Sequence, residues 1–410
     1  MTATPPRSRQ NAALRLALMT ALIFLSSCAT LAPPASAPVI ELQMIDKTVQ
    51  AAMSATGARG LAVAVVDNGQ VVFNKAYGVR NAANEPLQND TVMYGASLTK
   101  SAFAYMVMQL VDEGLLDLDR SIAAYLPQPL PSYSSAADAR AYVPWVGLDG
   151  DERWRKITPR MLLTHSAGFN NFAFDEPDGK LRIHFEPGSR YAYSGAGILL
   201  LQFVLERGLG LDVGAEMNRR IFEPNNMTRT SLKWRADFRP NLADGFAADG
   251  KVEPHDERSR VRTAGSMDTT INDIAQFAAS YVRGDRLSAA ARKEVIRPQL
   301  AISTLTQFPS LQPPQTTPPF PTLSAALGVV AFVGPQGAGF YKGGHNNTTG
   351  NTWVCVEANK RCVVILSNDV RAEAAFPAIV RSIIGETGAP WAWEYGNMRF
   401  WGGECERVKQ

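Results

Sequence analysis

One stretch of this 410-residue sequence sets a nucleophile beside a base: Ser97-Leu98-Thr99-Lys100, the chain's one Ser-x-x-Lys. On a helix, positions i and i+3 share a face, so Ser97 Oγ and Lys100 Nζ can meet. A serine hydroxyl is a weak nucleophile near neutral pH and needs a base at its side. Lysine can serve only if burial or a neighbouring positive charge destabilises its ammonium form. The start of a helix adds a field that favours developing negative charge. Together these would give acyl transfer through a covalent serine ester. Alone the motif is weak, since a chain of this length holds about one by chance, and the bland reading is a surface lysine on an exposed turn.

Context strengthens it. The motif follows a turn-like Tyr94-Gly95-Ala96 and opens a strongly apolar helix, so a lysine there has to be accommodated in a buried setting. Two further segments follow in order: Tyr191-Ala192-Tyr193-Ser194-Gly195, directly before an apolar helix, and Tyr341-Lys342-Gly343-Gly344-His345, in a late β-rich region. The three segments resemble the motifs of the serine β-lactamase and penicillin-binding-protein superfamily. They are most similar to its class C-related branch of D-alanyl-D-alanine carboxypeptidases, D-aminopeptidases and β-lactamase-like esterases. Residues 157–168, 187–190 and 264–270 also resemble that branch, and the likeness covers roughly residues 45–385.

The resemblance implies a role for each position. Ser97 matches the acylated nucleophile and Lys100 the base that takes its proton. Tyr193 matches the tyrosine that shares proton transfer and passes a proton to the leaving group, which it can do if adjacent ammonium groups favour its ionised form. Lys342 matches the strand lysine that supports the tyrosine and the substrate's anionic end. The backbone N–H groups of Ser97 and His345 match the oxyanion hole. A rival register makes His345 the strand's functional residue; Lys342 is preferred because Gly343 and Gly344 follow it, as close approach of an edge strand to substrate requires. Two positions depart from the pattern. Gly195 stands where an asparagine usually contacts the acyl-amide, and Gly343 where Thr or Ser helps hold a carboxylate. Both changes point away from a carboxylate-tailed amide substrate.

The expected reading is therefore a serine hydrolase acting through Ser97 on an ester, an amide or a cell-wall peptide or β-lactam-like substrate. The alternative is a penicillin-binding or sensor-like protein that keeps the fold but turns over little. A Ser-His-Asp hydrolase is disfavoured, since no Gly-x-Ser-x-Gly elbow occurs. His165 is read as structural, and His184 and His255 as lone surface residues. Trp145 and Trp154 could line a cleft, although aromatics more often simply pack.

These groups need elements to hold them. Leu61–Val66 and Val71–Tyr77, joined through Asp67-Asn68-Gly69-Gln70, predict a β-hairpin. Apolar spacing predicts helices from Ser97 to a cap at Gly114, over Ile198–Glu206, over Thr270–Val282 and near Ala374–Ile384. Residues 127–157 form an ordered excursion, and 308–321, with six prolines, a loop or lid. Strands return at 328–333, 338–342 and 352–367. The fold class is α+β: an antiparallel sheet built from both chain ends, flanked by helices, with a mainly helical second lobe at roughly 100–270. Cys355 and Cys362 lie in two β-rich runs, and a turn at Ala358-Asn359 would set them opposite each other, as a disulfide or as two buried thiols. No HExxH or zinc-type spacing occurs, and no cofactor is expected.

Composition fits this reading. With 46% hydrophobic and 19% charged residues the chain is globular. Its formal charge of +3 comes from Arg7, Arg9 and Arg15; without residues 1–27 it is balanced, so no nucleic-acid partner is expected. Those arginines precede an apolar run, Leu16–Leu25, too short to span a bilayer. The run ends Leu25-Ser26-Ser27-Cys28, which resembles a bacterial lipobox. The expected organisation is a signal peptide at 1–27 with Cys28 lipidated, a tether at 28–45, the hydrolase domain at 46–388 and a tail at 389–410. The protein would be exported and held on the periplasmic face of a membrane by its lipid, or secreted, with a small-molecule or peptide substrate as its partner.

Overall fold

The computed structural model describes residues 40–396 and 398–402. Eight strands make one antiparallel sheet. They are β1 (Gly60–Asp67), β2 (Gln70–Gly78), β3 (Leu300–Ala301), β4 (Ser324–Ala325), β5 (Val330–Gly334), β6 (Gly337–His345), β7 (Gly350–Val356) and β8 (Arg361–Ser367). Their order across the sheet is β2-β1-β8-β7-β6-β5-β4-β3. The early hairpin therefore joins the late strands within one sheet, where Leu61 pairs with Ser367 and Val66 with Cys362.

The β1–β2 hairpin turns at Asn68 and Gly69, both at positive φ, which is the backbone that a two-residue turn matching strand twist requires. Alternation along β1 feeds two cores. Ala62, Ala64 and Val66 face one, and Leu61, Val63 and Val65 face the other. A sheet covered on both sides needs apolar residues at every position, and β8 reads the same way. Cys355 and Cys362 are opposite each other on β7 and β8 and form a disulfide.

Helices α1 (Leu42–Thr56) and α5 (Phe376–Ile384) pack together and belong to the core on one face. Helix α4 (Ile271–Arg283), capped by Thr270, covers β1, β2 and β8 from the other. Between β2 and β3 runs the helical lobe, containing α2 (Thr99–Asp112) and α3 (Gly195–Gly208). Both helices are apolar almost all round and almost wholly buried. Each enclosed Leu, Ile or Phe of α3 contributes about 1.5–3 kcal/mol of burial. Trp145 and Trp154 pack in this lobe's core and do not line the cleft described below. Among the described residues no helix is long and apolar enough to cross a membrane.

Two expected boundaries move. Leu42–Ile45 is the first turn of α1, with Ile45, Val49 and Ala52 on its buried stripe, so the expected tether stops short of 45. The expected tail also folds: helix α6 (Trp391–Tyr395) buries Trp393 and Glu394. An aromatic-rich segment finds apolar surface to cover. The lipidation site expected at Cys28 lies outside the described residues.

Candidate active site

The single 3-10 turn Ala96–Leu98 that leads into α2 presents Ser97 at the end of a strained approach. Ala96 lies at φ 46°, a left-handed backbone that a residue with a Cβ adopts only when its surroundings enforce it. They do so here. Gly95 N–H donates to Met267 O at 2.8 Å, Asn351 Nδ2 donates to Tyr94 O at 2.9 Å, and Thr99 Oγ1 donates back to Ala96 O at 2.5 Å. One turn on, Lys100 is buried, and its Nζ lies 3.0 Å from Ser97 Oγ and donates to Ala264 O. No carboxylate appears among the hydrogen-bond partners of this ammonium. Burial first, and the Lys342 charge second, hold its pKa well below the usual lysine value. A neutral amine beside a serine hydroxyl can take its proton.

Tyr193 precedes α3 and is held in place by its neighbours. Ser194 caps the helix, its Oγ accepting from Gly197 N–H at 2.9 Å. The Ser194 N–H donates to His165 Nδ1 at 3.2 Å, and the His165 ring packs 4.4 Å from that of Tyr193. His165 is thus a buried positioning group, kept neutral by burial and by the two lysine charges. Lys100 Nζ lies 4.9 Å and Lys342 Nζ 5.2 Å from the Tyr193 ring centre. Lys342 also donates to Tyr193 Oη at 3.4 Å. The sequence made the tyrosine's part in proton transfer conditional on ionisation by such ammonium groups, and that condition is not fulfilled. Burial raises the Tyr193 pKa and outweighs the contact with Ser97 that lowers it, so the phenol is neutral. The lysines yield instead: burial brings Lys342 down to about 8 against the pull of Glu394.

Strand β6 supplies the facing wall. β5 pairs with it only as far as Tyr341, so the edge from Lys342 to His345 is open on that side. Gly344 lets the strand approach the nucleophile. A Cβ there would sit 3.0 Å from the backbone N of both Ser97 and Leu98. His345 lines the cleft, and its Nδ1 lies 3.0 Å from Glu373 Oε1. Burial works against its charge, but that carboxylate overcomes it and raises the His345 pKa. Both registers weighed from the sequence therefore reach the site, with Lys342 behind Tyr193 and His345 at the opening. The cleft holds about 830 Å³.

Several lining residues escaped sequence reasoning. Gly195, where an asparagine was the expected type, has no room for one: its Cβ would lie 2.5 Å from the Phe172 ring. Asn171 Oδ1 accepts from the Gly195 N–H at 2.9 Å, and both Asn171 and Phe172 line the cleft. Gln307 and Phe308, from the start of the proline-rich loop, form another wall, as does Glu394 of α6. These come from loops without periodicity; the one usable signal was the cluster of aromatics at 391–395. Nor are the remaining histidines lone surface groups. His255 Nε2 meets Asp268 Oδ1 at 3.0 Å with its side chain almost fully covered, and His184 Nε2 meets Glu176 Oε1 at 2.7 Å.

A central antiparallel sheet closed by both chain ends, with a helical lobe inserted and a serine–lysine turn at the junction, is the β-lactamase/transpeptidase-like fold. The chain belongs to the Beta-lactamase family, whose profile matches residues 45–383. It is similar to the lovastatin esterase of Penicillium rubens, with 31% identity over 227 residues, 49% of this chain and 56% of that one. The chain spans about half the length of the curated relatives it matches. Among solved structures, the octameric penicillin-binding protein homologue from Pyrococcus abyssi matches with a TM-score of 0.65 at 18% identity, covering 81% of this chain and 74% of that one. The D-alanine carboxypeptidase AmpC from Burkholderia cenocepacia matches with a TM-score of 0.62 at 17% identity, covering 83% and 96%. At these identities the solved structures speak for the fold alone.

Proposed function

We propose that this protein is a serine hydrolase that forms an acyl-enzyme on Ser97, and that its substrates are esters in preference to β-lactams. The observation that carries the reading is the 3.0 Å contact between Ser97 Oγ and a buried Lys100 whose ammonium is disfavoured. Ser97 Oγ attacks the substrate carbonyl while its proton passes to Lys100 Nζ. The backbone N–H groups of Ser97 and His345 face the developing oxyanion. Tyr193, neutral and hydrogen-bonded to Lys342, passes its proton to the departing alcohol and takes in its place the proton held on Lys100, so that both groups return to their starting state. Water then attacks the acyl carbonyl by the same route in reverse, releasing the acid and restoring Ser97.

The preference for esters rests on Gly195. A side chain that would hydrogen-bond an acyl-amide is replaced by the Phe172 ring, and an ester has no N–H to lose there. The esterase among the relatives agrees with this. The test is intact-mass spectrometry after a fluorophosphonate and, separately, a penicillin, with turnover of a nitrophenyl ester against a chromogenic cephalosporin. One fluorophosphonate adduct, absent from Ser97→Ala, with faster ester turnover is expected. No adduct from either reagent refutes the reading, and stable penicillin labelling without turnover favours the sensor-like alternative.

We further propose export with lipidation at Cys28. The Cys355–Cys362 disulfide suits an oxidising compartment. Metabolic labelling with palmitate, lost in Cys28→Ala, tests it.

A further inference from the structure

We propose that Glu394 is a specificity-determining residue of the Ser97 site: its carboxylate occupies the place left by the missing side chain at Gly343 and turns away substrates whose leaving group carries a carboxylate. The proposal rests on the hydrolase reading above and names the substrate class within it.

The geometry is specific. A Cβ on Gly343 would overlap Glu394 Oε1, well inside van der Waals contact, so the glycine and the glutamate fit each other as a pair. Gln307 Nε2 donates to Glu394 Oε2 at 2.6 Å, which fixes the carboxylate from the far side. Glu394 lines the same cleft as Ser97, beside Gly343 and His345 on the open edge of β6. It is 5% exposed, so the charge it presents there is poorly screened by water. Burial is the largest influence on it and raises its pKa, with Glu373 adding to the rise and the charges of His345 and Lys342 working against it.

A hydroxyl at this point of the strand could donate to an anion. A carboxylate cannot, and it repels one at short range. It accepts hydrogen bonds from, or pairs with, a neutral or cationic group instead. Another stretch of the rim is net basic: Arg258, Arg260 and Arg262 line it together with Asp256 and Glu257, and the side-chain hydrogen bond that Arg262 makes is to the Ala141 carbonyl at 3.5 Å. The cleft is therefore polarised, and where a substrate's charge lies decides how it fits.

The experiment uses three acetate esters of one shape: 3-carboxyphenyl, 3-(methoxycarbonyl)phenyl and 3-(trimethylammonio)phenyl acetate. Each kcat/KM is divided by that ester's alkaline hydrolysis rate, which removes differences in leaving-group reactivity. For the wild-type protein at pH 7.5, the neutral and cationic esters should exceed the anionic one at least tenfold. In Glu394→Gln that ratio should fall at least fivefold, whatever happens to the absolute rates. If Glu394→Gln does not fold, Glu394→Asp, which draws the carboxylate back by one methylene, should lower the ratio in the same direction. A wild-type ratio near one would place the carboxylate on the arginine rim and overturn the proposal. So would an unchanged ratio in a folded variant. Neutral-ester turnover with a flat ratio leaves the hydrolase reading standing, whereas no turnover of any ester and no fluorophosphonate adduct removes both.

Discussion

Gly344→Ala is the sharpest perturbation the site offers, because it adds one methyl group and no charge. The new Cβ would lie 3.0 Å from Ser97 N, 3.0 Å from Leu98 N and 3.1 Å from Gly95 O. All three are backbone atoms at the start of α2, where Gly95 and Thr99 are tied to Met267. No flexible side chain can swing away, so strand and helix must separate by a few tenths of an ångström. Overpacking of this kind costs about 1–3 kcal/mol of stability. The functional cost is larger on the proposed mechanism, in which the displaced N–H of Ser97 is one of two donors to the oxyanion. Losing one such donor lowers kcat by about 10²–10³. Stopped-flow acylation by a fluorophosphonate, with the thermal midpoint measured in parallel, reads both effects. Acylation within threefold of wild type, at an unchanged midpoint, would refute the close approach of β6 to the nucleophile.

Three further outcomes are expected. The pH profile of kcat/KM for a neutral ester should be bell-shaped. It rises as Lys100 loses its proton at a pKa well below the usual lysine value, and falls near pH 8 as Lys342 loses its own; a plateau running to pH 10 would remove Lys342 from the reaction. Gly195→Ala should lose at least tenfold in ester kcat/KM, since its Cβ meets Phe172 at 2.5 Å, and Phe172→Ala in the same chain should restore much of it; additive losses would show that the ring is not the obstacle. Reduction of the buried Cys355–Cys362 bridge, or Cys355→Ala with Cys362→Ala, should lower stability by about 2 kcal/mol for so short a loop, read from urea denaturation, with Ser97 acylation retained.

The sequence carried the nucleophile and its base because an i, i+3 pair on an apolar helix is a local signal. The helices α2 to α5 and the β1–β2 hairpin were legible for the same reason: periodicity and turn chemistry are written within a dozen residues. Tyr193 and Lys342 needed the family likeness, since nothing near either of them says that they meet. Phe172 and Gln307 were out of reach, because only the tertiary fold sets a loop residue against Gly195 or Glu394. Glu394 was hidden by its position near the chain's end, although Trp391, Trp393 and Tyr395 around it are residues that seldom remain in water. The protonation of Tyr193 was left open by the sequence, because burial, which a sequence does not display, is what chiefly raises its pKa.

The pairing of β1 with β8 has a consequence for the order of assembly. Gly60 and Ser367 are 307 residues apart, yet the first strand of the hairpin is completed only when the last strand lies beside it. Contacts between such distant parts of a chain form late and slowly. The wall of the cleft comes later still, since Glu394 emerges after every strand of the sheet. A growing chain thus carries Ser97 without the neighbours that would make it reactive until Glu394 has emerged, and the site is built only after that point.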